Sequence, residues 1–313
     1  MDTVKALADR IKENISKVIY GKDDKIKLVL TSFFSEGHIL LDDIPGTGKT
    51  SLCRALAISI SAKMTRVQFT PDLLPSDITG INYFNQKEND FIFRPGPVFT
   101  NILIADEINR TTPRTQSALL ECMAERQITV DGVTYPSELP FFVIATQNPI
   151  ESQGTFPLPE AQTDRFFMRL SLGYPDASNE FMMLDRYAEQ SPLESLAAVC
   201  TKEDVILACS EVKKVTVSDA IKKYLVNIAN ETRNNGRIRL GVSPRGTLAL
   251  FRASQAYAAI DGRDFVIPDD VKAVAGAVLA HRIIVRSQNS VKAGDTNESI
   301  IELILDTIPV PIE

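Results

Sequence analysis

The chain has no tryptophan and only two histidines, His38 and His281, among its 313 residues. Its four cysteines, at 53, 122, 200 and 209, form no C-x-x-C pair. So few imidazoles, and no paired thiol spacing, argue against a zinc site and against a disulfide framework. Scattered thiols fit a reducing compartment. No stretch approaches 18 uninterrupted apolar residues, so no segment reads as a membrane-spanning helix. Charged residues begin at Asp2 and leave no hydrophobic signal region, so the expected location is the cytoplasm. Positive charge is in deficit: the net charge is −6 and the isoelectric point about 5.2. That counts against nucleic-acid binding through bulk charge, though it leaves room for a local basic channel.

What is present is ordinary for a globular protein, with 44% hydrophobic and 24% charged residues. The length accommodates one large domain or two smaller ones. One stretch organises the rest: residues 38–50, HILLDDIPGTGKT. His38 to Leu41 suits a buried strand, and Ser51 to Ala57 suits a helix. Between them lie Pro45, Gly46, Thr47, Gly48, Lys49 and Thr50. Strand, glycine turn, Lys-Thr and helix are the parts of a phosphate cradle. Glycines let backbone N–H groups curl toward an anion, and the helix N-terminus adds partial positive charge. Lys49 can reach β- and γ-phosphates, and the Thr50 hydroxyl can ligate Mg²⁺. Asp43 stands where the general pattern has its first glycine.

Elsewhere the chain divides in two. Helical periodicity covers 2–19 and 23–35. Strands are expected at 64–69, 101–107, 141–145 and 166–172, with a helix at 113–126 between two of them. Strands alternating with helices argue a parallel α/β sheet. Residues 81–94 read as a projecting hairpin with a polar tip, and 127–140 hold a second, turned at Asp131-Gly132. After Tyr174-Pro175-Asp176 the texture becomes helical, at 178–189, 202–213, 217–233, 244–260 and 268–281. The expected units are an α/β core over 1–175 and a smaller helical unit over 176–313.

Asp106-Glu107 closes an apolar strand, Asn101 to Ala105. Two adjacent acids there are costly unless a cation meets them. Beside a Mg-nucleotide, Asp106 can hold the metal's shell and Glu107 can orient or deprotonate a water. Asn148 follows the next buried strand, where an amide could touch a γ-phosphate or the attacking water. Arg165 and Arg245 are further candidates, because an arginine can neutralise charge gathering on a transferred phosphoryl group. Residue type alone leaves a surface arginine or a helix-dipole partner open for each.

These strings, NILIADEINRTTPRTQSALLECMAERQITVDG, FFVIATQNPIESQGTFPLPEAQTDRFFMRL and GVSPRGTLALFRASQAYAAIDGRDFVIPDDVKAVAGAVLAHRI, together resemble the AAA+ ATPases, and within them the MoxR group. The resemblance runs from about residue 15 to the end. It implies an AAA+ P-loop domain followed by an all-helical lid. Gly46, Gly48, Lys49 and Thr50 match Walker A, with Pro45, Thr47 and Ser51 beside them. Asp106 and Glu107 match Walker B, Asn148 sensor 1, Arg165 the arginine finger and Arg245 sensor 2. Ile19, Tyr20 and Gly21 fall where such proteins line the adenine pocket. Thr50 and Asp106 would hold Mg²⁺. The implied geometry is a nucleotide between the α/β part and the lid of one subunit, completed by Arg165 of the next. Whether Arg245 acts in its own subunit or the neighbour's stays open.

The resemblance further implies ATP hydrolysis in a homo-oligomeric ring, expected as a hexamer. The ring would remodel or activate a client protein. A von Willebrand factor A domain partner, complex assembly and metal-cofactor insertion are associated roles. Two other readings use the same motifs. One is a nucleic-acid motor, against which the sparse basic residues of the hairpin tips count. The other is a nucleotide-gated scaffold with little turnover, against which the intact Glu107 and Asn148 count.

Overall fold

The computed structural model describes residues 1–149, 154–189, 191–286 and 296–311. Residues 150–153 of the string after sensor 1 and 287–295 of the expected helical unit lie outside these. The chain opens with helices α1 (Asp2–Ser16) and α2 (Asp23–Phe34), then β1 (Ile39–Asp42), α3 (Lys49–Ser59), β2 (Met64–Gln68) and α4 (Pro75–Thr79). A hairpin of β3 (Gly80–Asn85) and β4 (Asp90–Pro95) follows, then β5 (Ile102–Asp106) and α5 (Pro113–Glu125). A second hairpin, β6 (Gln127–Val130) with β7 (Val133–Pro136), precedes β8 (Phe142–Gln147), α6 (Glu160–Thr163) and β9 (Met168–Leu170). Helices then dominate: α7 (Ala177–Glu189), α8 (Lys202–Val212), α9 (Asp219–Asn234), α10 (Pro244–Ile260), α11 (Pro268–Leu279) and α12 (Asn297–Thr307). A small antiparallel pair, β10 (Ile238–Leu240) with β11 (Ile284–Val285), is set among them.

The five-stranded sheet has the order β2-β5-β8-β1-β9, and every pairing is parallel. Its central strands are apolar until their carboxyl ends because both faces are covered there. Alternate residues go to opposite faces. Ile39, Leu41, Ile102, Ile104, Phe142 and Ile144 join a core shared with α1, α2, α3 and the later helices. Leu40, Leu103, Ala105, Val143 and Ala145 join a second core with α5 and the base of the hairpins. The result is an α/β layer around a parallel sheet followed by a helical region, as expected. The first core runs without a break from α1 through α12. All four cysteines are buried, and burial pushes the Cys122 thiol up to about 12, so they serve as packing residues.

The two hairpins form one projection. Phe93 stacks on Tyr135 with ring centroids 4.7 Å apart, and Asn82 Nδ2 donates to Asp131 Oδ2 at 2.8 Å. Beyond that joint, Tyr83, Phe84 and Phe91 stand exposed. The periodicity did not disclose β10, β11 or α12: two of these are strands of two or three residues, too short to alternate visibly.

Both histidines are buried and neutral. His38 Nδ1 accepts the Val143 N–H at 3.0 Å, so Nε2 carries the proton toward Met123 O at 3.1 Å. Burial pushes His38 down from 6.5 to about 4 and His281 well below 6.5. The unfolded chain therefore binds protons that the native one refuses. Stability is complete above pH 6.5 and falls as pH drops toward 4, each histidine contributing a limiting slope of about 1.4 kcal/mol per pH unit. Urea melts across pH 7 to 5 will show this slope, and His38→Gln will roughly halve it. A slope unchanged by His38→Gln would contradict the assignment.

Candidate functional site

The phosphate loop is built as its glycines require. Gly46 and Gly48 have φ of +86° and +85°, a region costly for a residue with a Cβ. Gly48 is also the N-cap of α3, so the free N–H groups of that helix's first turn open onto the loop. Thr50 and Ser51 lie in that turn. Lys49 Nζ donates to the carbonyls of Asp43 at 2.7 Å and Ile44 at 3.0 Å, and so stands across the loop it would serve. A Cβ on Gly46 would meet nothing within 4 Å, so space for an anion lies beside the backbone.

Asp43 does more than alter the loop's local charge. Its buried carboxylate accepts from Ser171 Oγ at 2.7 Å and from the N–H groups of Leu172 at 2.6 Å and Gly173 at 3.1 Å. It ties the start of the loop to the end of β9, a task no glycine could perform. Ile19 reaches the loop, its Cδ1 lying 3.4 Å from where a Gly48 Cβ would be. Gly21, at φ +64°, lets Asn179 of α7 approach so closely that a Cβ would sit 2.1 Å from its amide nitrogen. Tyr20 donates its hydroxyl to Lys17 O at 2.8 Å.

Strand register brings the acids to the same end. Gln68 pairs with Asp106 across β2 and β5, and Asp42 pairs with Gln147 across β1 and β8. Asn148, buried, follows directly. Thr146 on β8 joins the acids: its hydroxyl donates to Asp106 Oδ1 at 2.6 Å and accepts the Glu107 N–H at 2.9 Å. Glu107 has φ +57° and ψ +51°, an uncommon left-handed setting for a residue with a Cβ, and the chain turns off the strand there. Glu107 Oε2 accepts from Gln68 Nε2 at 2.7 Å and Arg110 Nη1 at 3.1 Å. Asp106 Oδ2 accepts from Arg66 Nη2 at 2.6 Å and Nε at 3.0 Å. Sequence reasoning missed Thr146, Gln68 and Arg66. The strand alternation that places Arg66 and Gln68 on one face was the available signal, but it does not show what they face.

A hydroxyl on Thr50 and a carboxylate oxygen on Asp106 are hard oxygen donors that fit Mg²⁺. Among the described residues no group of three or more His, Cys, Asp or Glu side chains could hold a metal ion. A cation here would therefore take most of its ligands from phosphate and water.

The two arginines are not at this end. Arg165 precedes β9, and Arg245 is the second residue of α10. Both line a cleft of about 650 Å³ with His38 and Phe167, at the amino ends of β1 and β9. Lys49 and the loop lie beyond the carboxyl end of β1. The sequence leaves open whether Arg245 acts in its own subunit; in the structure it stands with Arg165, at the opposite ends of the strands from Lys49, Asp106, Glu107 and Asn148. The cleft holds six basic side chains, Arg126, Arg165, Lys213, Arg245, Arg252 and Arg282, against two acidic ones, Glu36 and Asp164. Glu36 is bracketed by Lys213 at 2.5 Å and Arg126 at 3.3 Å. Asp164 pairs with Arg282 at 2.8 Å. Arg165 Nη1 donates to Leu120 O at 3.0 Å. Among the described residues neither Arg245 nor Arg252 makes an ion pair, so the cleft keeps a net positive charge suited to an anion.

The profile of the ATPase family associated with various cellular activities (AAA) matches residues 38–168, and an AAA lid domain matches 230–304. Among similar proteins, YeaC of Bacillus subtilis, uncharacterised, is 48% identical over 96% of this chain and 94% of its own. The chaperone MoxR1 of Mycobacterium tuberculosis is 35% identical over 95% of this chain and 80% of its own. The crystal structure of a putative ATPase from Cytophaga hutchinsonii superposes with a TM-score of 0.90 at 38% identity, covering 99% of this chain and 98% of that one. With an AAA region followed by an AAA lid, and MoxR proteins matching over nearly the whole chain, the chain belongs to the MoxR family of AAA ATPases.

Proposed function

We propose that the protein hydrolyses ATP at a site shared between neighbouring copies of itself and uses the energy to remodel a client protein. The observation that carries this is the separation of the two half-sites. The anion-binding loop and the acids stand at the carboxyl ends of the strands, and the cationic cleft with Arg165 and Arg245 opens at the amino ends of β1 and β9. One chain cannot fold its arginines onto its own loop through its own sheet. A second copy set head to tail can supply them, and a head-to-tail contact that repeats and closes makes a ring. A hexamer is the size expected from the family resemblance.

The roles follow from placement. Backbone N–H groups of the loop and Lys49 hold the phosphates. Ile19, which reaches the loop, borders the base together with its chain neighbours Tyr20 and Gly21. Thr50 and Asp106 would hold Mg²⁺, which supplies charge neutralisation on the phosphate oxygens when bound. Glu107 accepts the proton of the attacking water once its side chain leaves Gln68 and Arg110, and Asn148 orients that water. Arg165 and Arg245 of the neighbour neutralise the charge that gathers on the γ-phosphoryl group. Hydrolysis then depends on assembly, and each event is felt by two subunits.

The joined hairpins, with Tyr83, Phe84 and Phe91 exposed, are the surface proposed to meet the client. A chaperone-like role accords with the name of the relative MoxR1. The tip turn of the first hairpin carries Lys87 beside Glu88 and Asp90, a poor match for a phosphate backbone. No helix among the described residues is long and apolar enough to cross a membrane. Any von Willebrand factor A domain partner, or service in metal-cofactor insertion, would be recognised through these same outward surfaces.

Lys49→Ala will lose tight binding of fluorescent ATP. Glu107→Gln will retain binding while turnover falls on the order of 10²-fold or more. Hydrolysis by Glu107→Gln at the parent rate would remove Glu107 from its role. Arg165→Ala and Arg245→Ala will each bind nucleotide as the parent does and lose on the order of 10³-fold in turnover. The parent's rate per chain will climb with protein concentration until rings saturate. A rate per chain flat across concentration, with both arginine variants fully active, would contradict a shared site. Added DNA will leave the rate unchanged; strong stimulation by DNA would favour a nucleic-acid motor.

A further inference from the structure

Arg165 and Arg245 come from distant parts of the chain, one from the edge of the sheet and one from the helical region. A polar knot built on the buried Arg282 fastens them together. Asp164, next to Arg165, accepts from Ser243 Oγ at 2.9 Å through Oδ2 and from Arg282 Nε at 2.8 Å through Oδ1. Ser243 is the N-cap of α10, and the same hydroxyl accepts the Gly246 N–H at 3.3 Å. That hydroxyl therefore sets the first turn of α10, which carries Arg245. Arg282, whose side chain is 2% exposed, sends its remaining N–H groups to the carbonyls of Phe166 at 2.6 Å, Phe167 at 3.1 Å and Val278. Gly246 permits the approach: a Cβ there would lie 2.8 Å from Arg282 Cδ and 2.6 Å from Val242 Cγ1. Apart from the bond to Val278 within the helical region, the donors of Arg282 reach the segment around Arg165, and Ser243 joins that segment to the turn bearing Arg245.

We infer that Asp164, Ser243 and Arg282 are positioning residues that hold Arg165 and Arg245 as one two-pronged unit. The neighbour's phosphate is then read by the sheet edge and the helical region together. The inference rests on the proposed action of the two arginines on a neighbour's nucleotide. It goes beyond that proposal in making the pair inseparable. The Asp164 carboxylate, half-buried, sits between a buried guanidinium and a helix cap, and losing it leaves the Arg282 charge buried without its counter-ion. Arginines acting on a phosphoryl group in flight must be placed to within a fraction of an ångström, and a shift of about 1 Å can cost on the order of 10²-fold in rate.

The test uses the full-length chain with substitutions at the knot. Ser243→Gly keeps a residue tolerated at a helix N-cap and deletes the bond to Asp164. Ser243→Thr keeps the hydroxyl. Asp164→Asn removes the charge that Arg282 faces. Ser243→Gly and Asp164→Asn are expected to bind fluorescent ADP within about twofold of the parent, since their own phosphate loops are untouched, and to lose roughly tenfold or more in turnover. Ser243→Thr will recover most of the rate. Mixing either impaired variant with Lys49→Ala subunits, whose loop is dead but whose arginines are intact, will restore turnover, because the partner supplies a correctly held pair. Arg165→Ala mixed with Lys49→Ala is the control for the underlying proposal. If that control is not restored, action on a neighbour's nucleotide is itself wrong. If it is restored, but Ser243→Gly and Asp164→Asn either turn over like the parent or are not restored by Lys49→Ala, the knot does not position the arginines. Should Asp164→Asn fail to fold, Ser243→Gly against Ser243→Thr decides the matter alone.

Discussion

Five parallel strands give this molecule two chemically different ends. At their carboxyl ends the chain leaves the sheet through loops that carry Lys49, Asp106, Glu107 and Asn148. At the amino ends of β1 and β9 it enters through segments that carry Arg165 and, packed against them, Arg245. The apolar core between Ile39 and Leu41 keeps these groups on opposite sides. Everything proposed about assembly follows from that polarity. A site that needs both ends must be made by two copies, and the helical region, anchored through Asp164 and Arg282, travels with the arginine end.

Much of this was legible in the sequence, for reasons that differ from residue to residue. Gly46 and Gly48 were readable because a left-handed backbone before a helix demands glycine. Asp106 and Glu107 were readable because two acids at the end of four apolar residues need a purpose. The apolar runs at β1, β5 and β8 announced a sheet covered on both faces. What escaped was long-range and polar. Thr146, Gln68 and Arg66 touch the acids from other strands, and alternation tells which face a side chain takes but not its opposite number. Arg282 and Asp164 are 118 positions apart, so no local pattern links them. The strand predicted at 141–145 also runs on to Gln147, because Thr146 and Gln147 pair with β1 while bonding the site.

Asp43 illustrates how an apparent exception can be structural. It occupies the place of a glycine in the general phosphate loop, and its carboxylate is spent on Ser171, Leu172 and Gly173. Through it the loop is tied to the far end of β9, the strand whose near end follows Arg165. Loop and arginine are thus connected through one short strand. The joined hairpins lie on the other flank, following β2, whose Arg66 and Gln68 hold the two acids. The proposed client surface thus follows in the chain soon after the strand that holds the two acids.

The most direct measurement is cross-linking between the two ends. A Thr47→Cys, Leu248→Cys chain places one thiol in the phosphate loop and one on the exposed turn of α10 beside Arg245, while the four native thiols are buried. Treated with a short bismaleimide under assembling conditions with ATP, it should give covalent dimers and higher multiples on a denaturing gel. Either single-cysteine chain should give none of the higher multiples. Cross-links confined within single chains, or absent from an assembled and active protein, would contradict a site shared between neighbours.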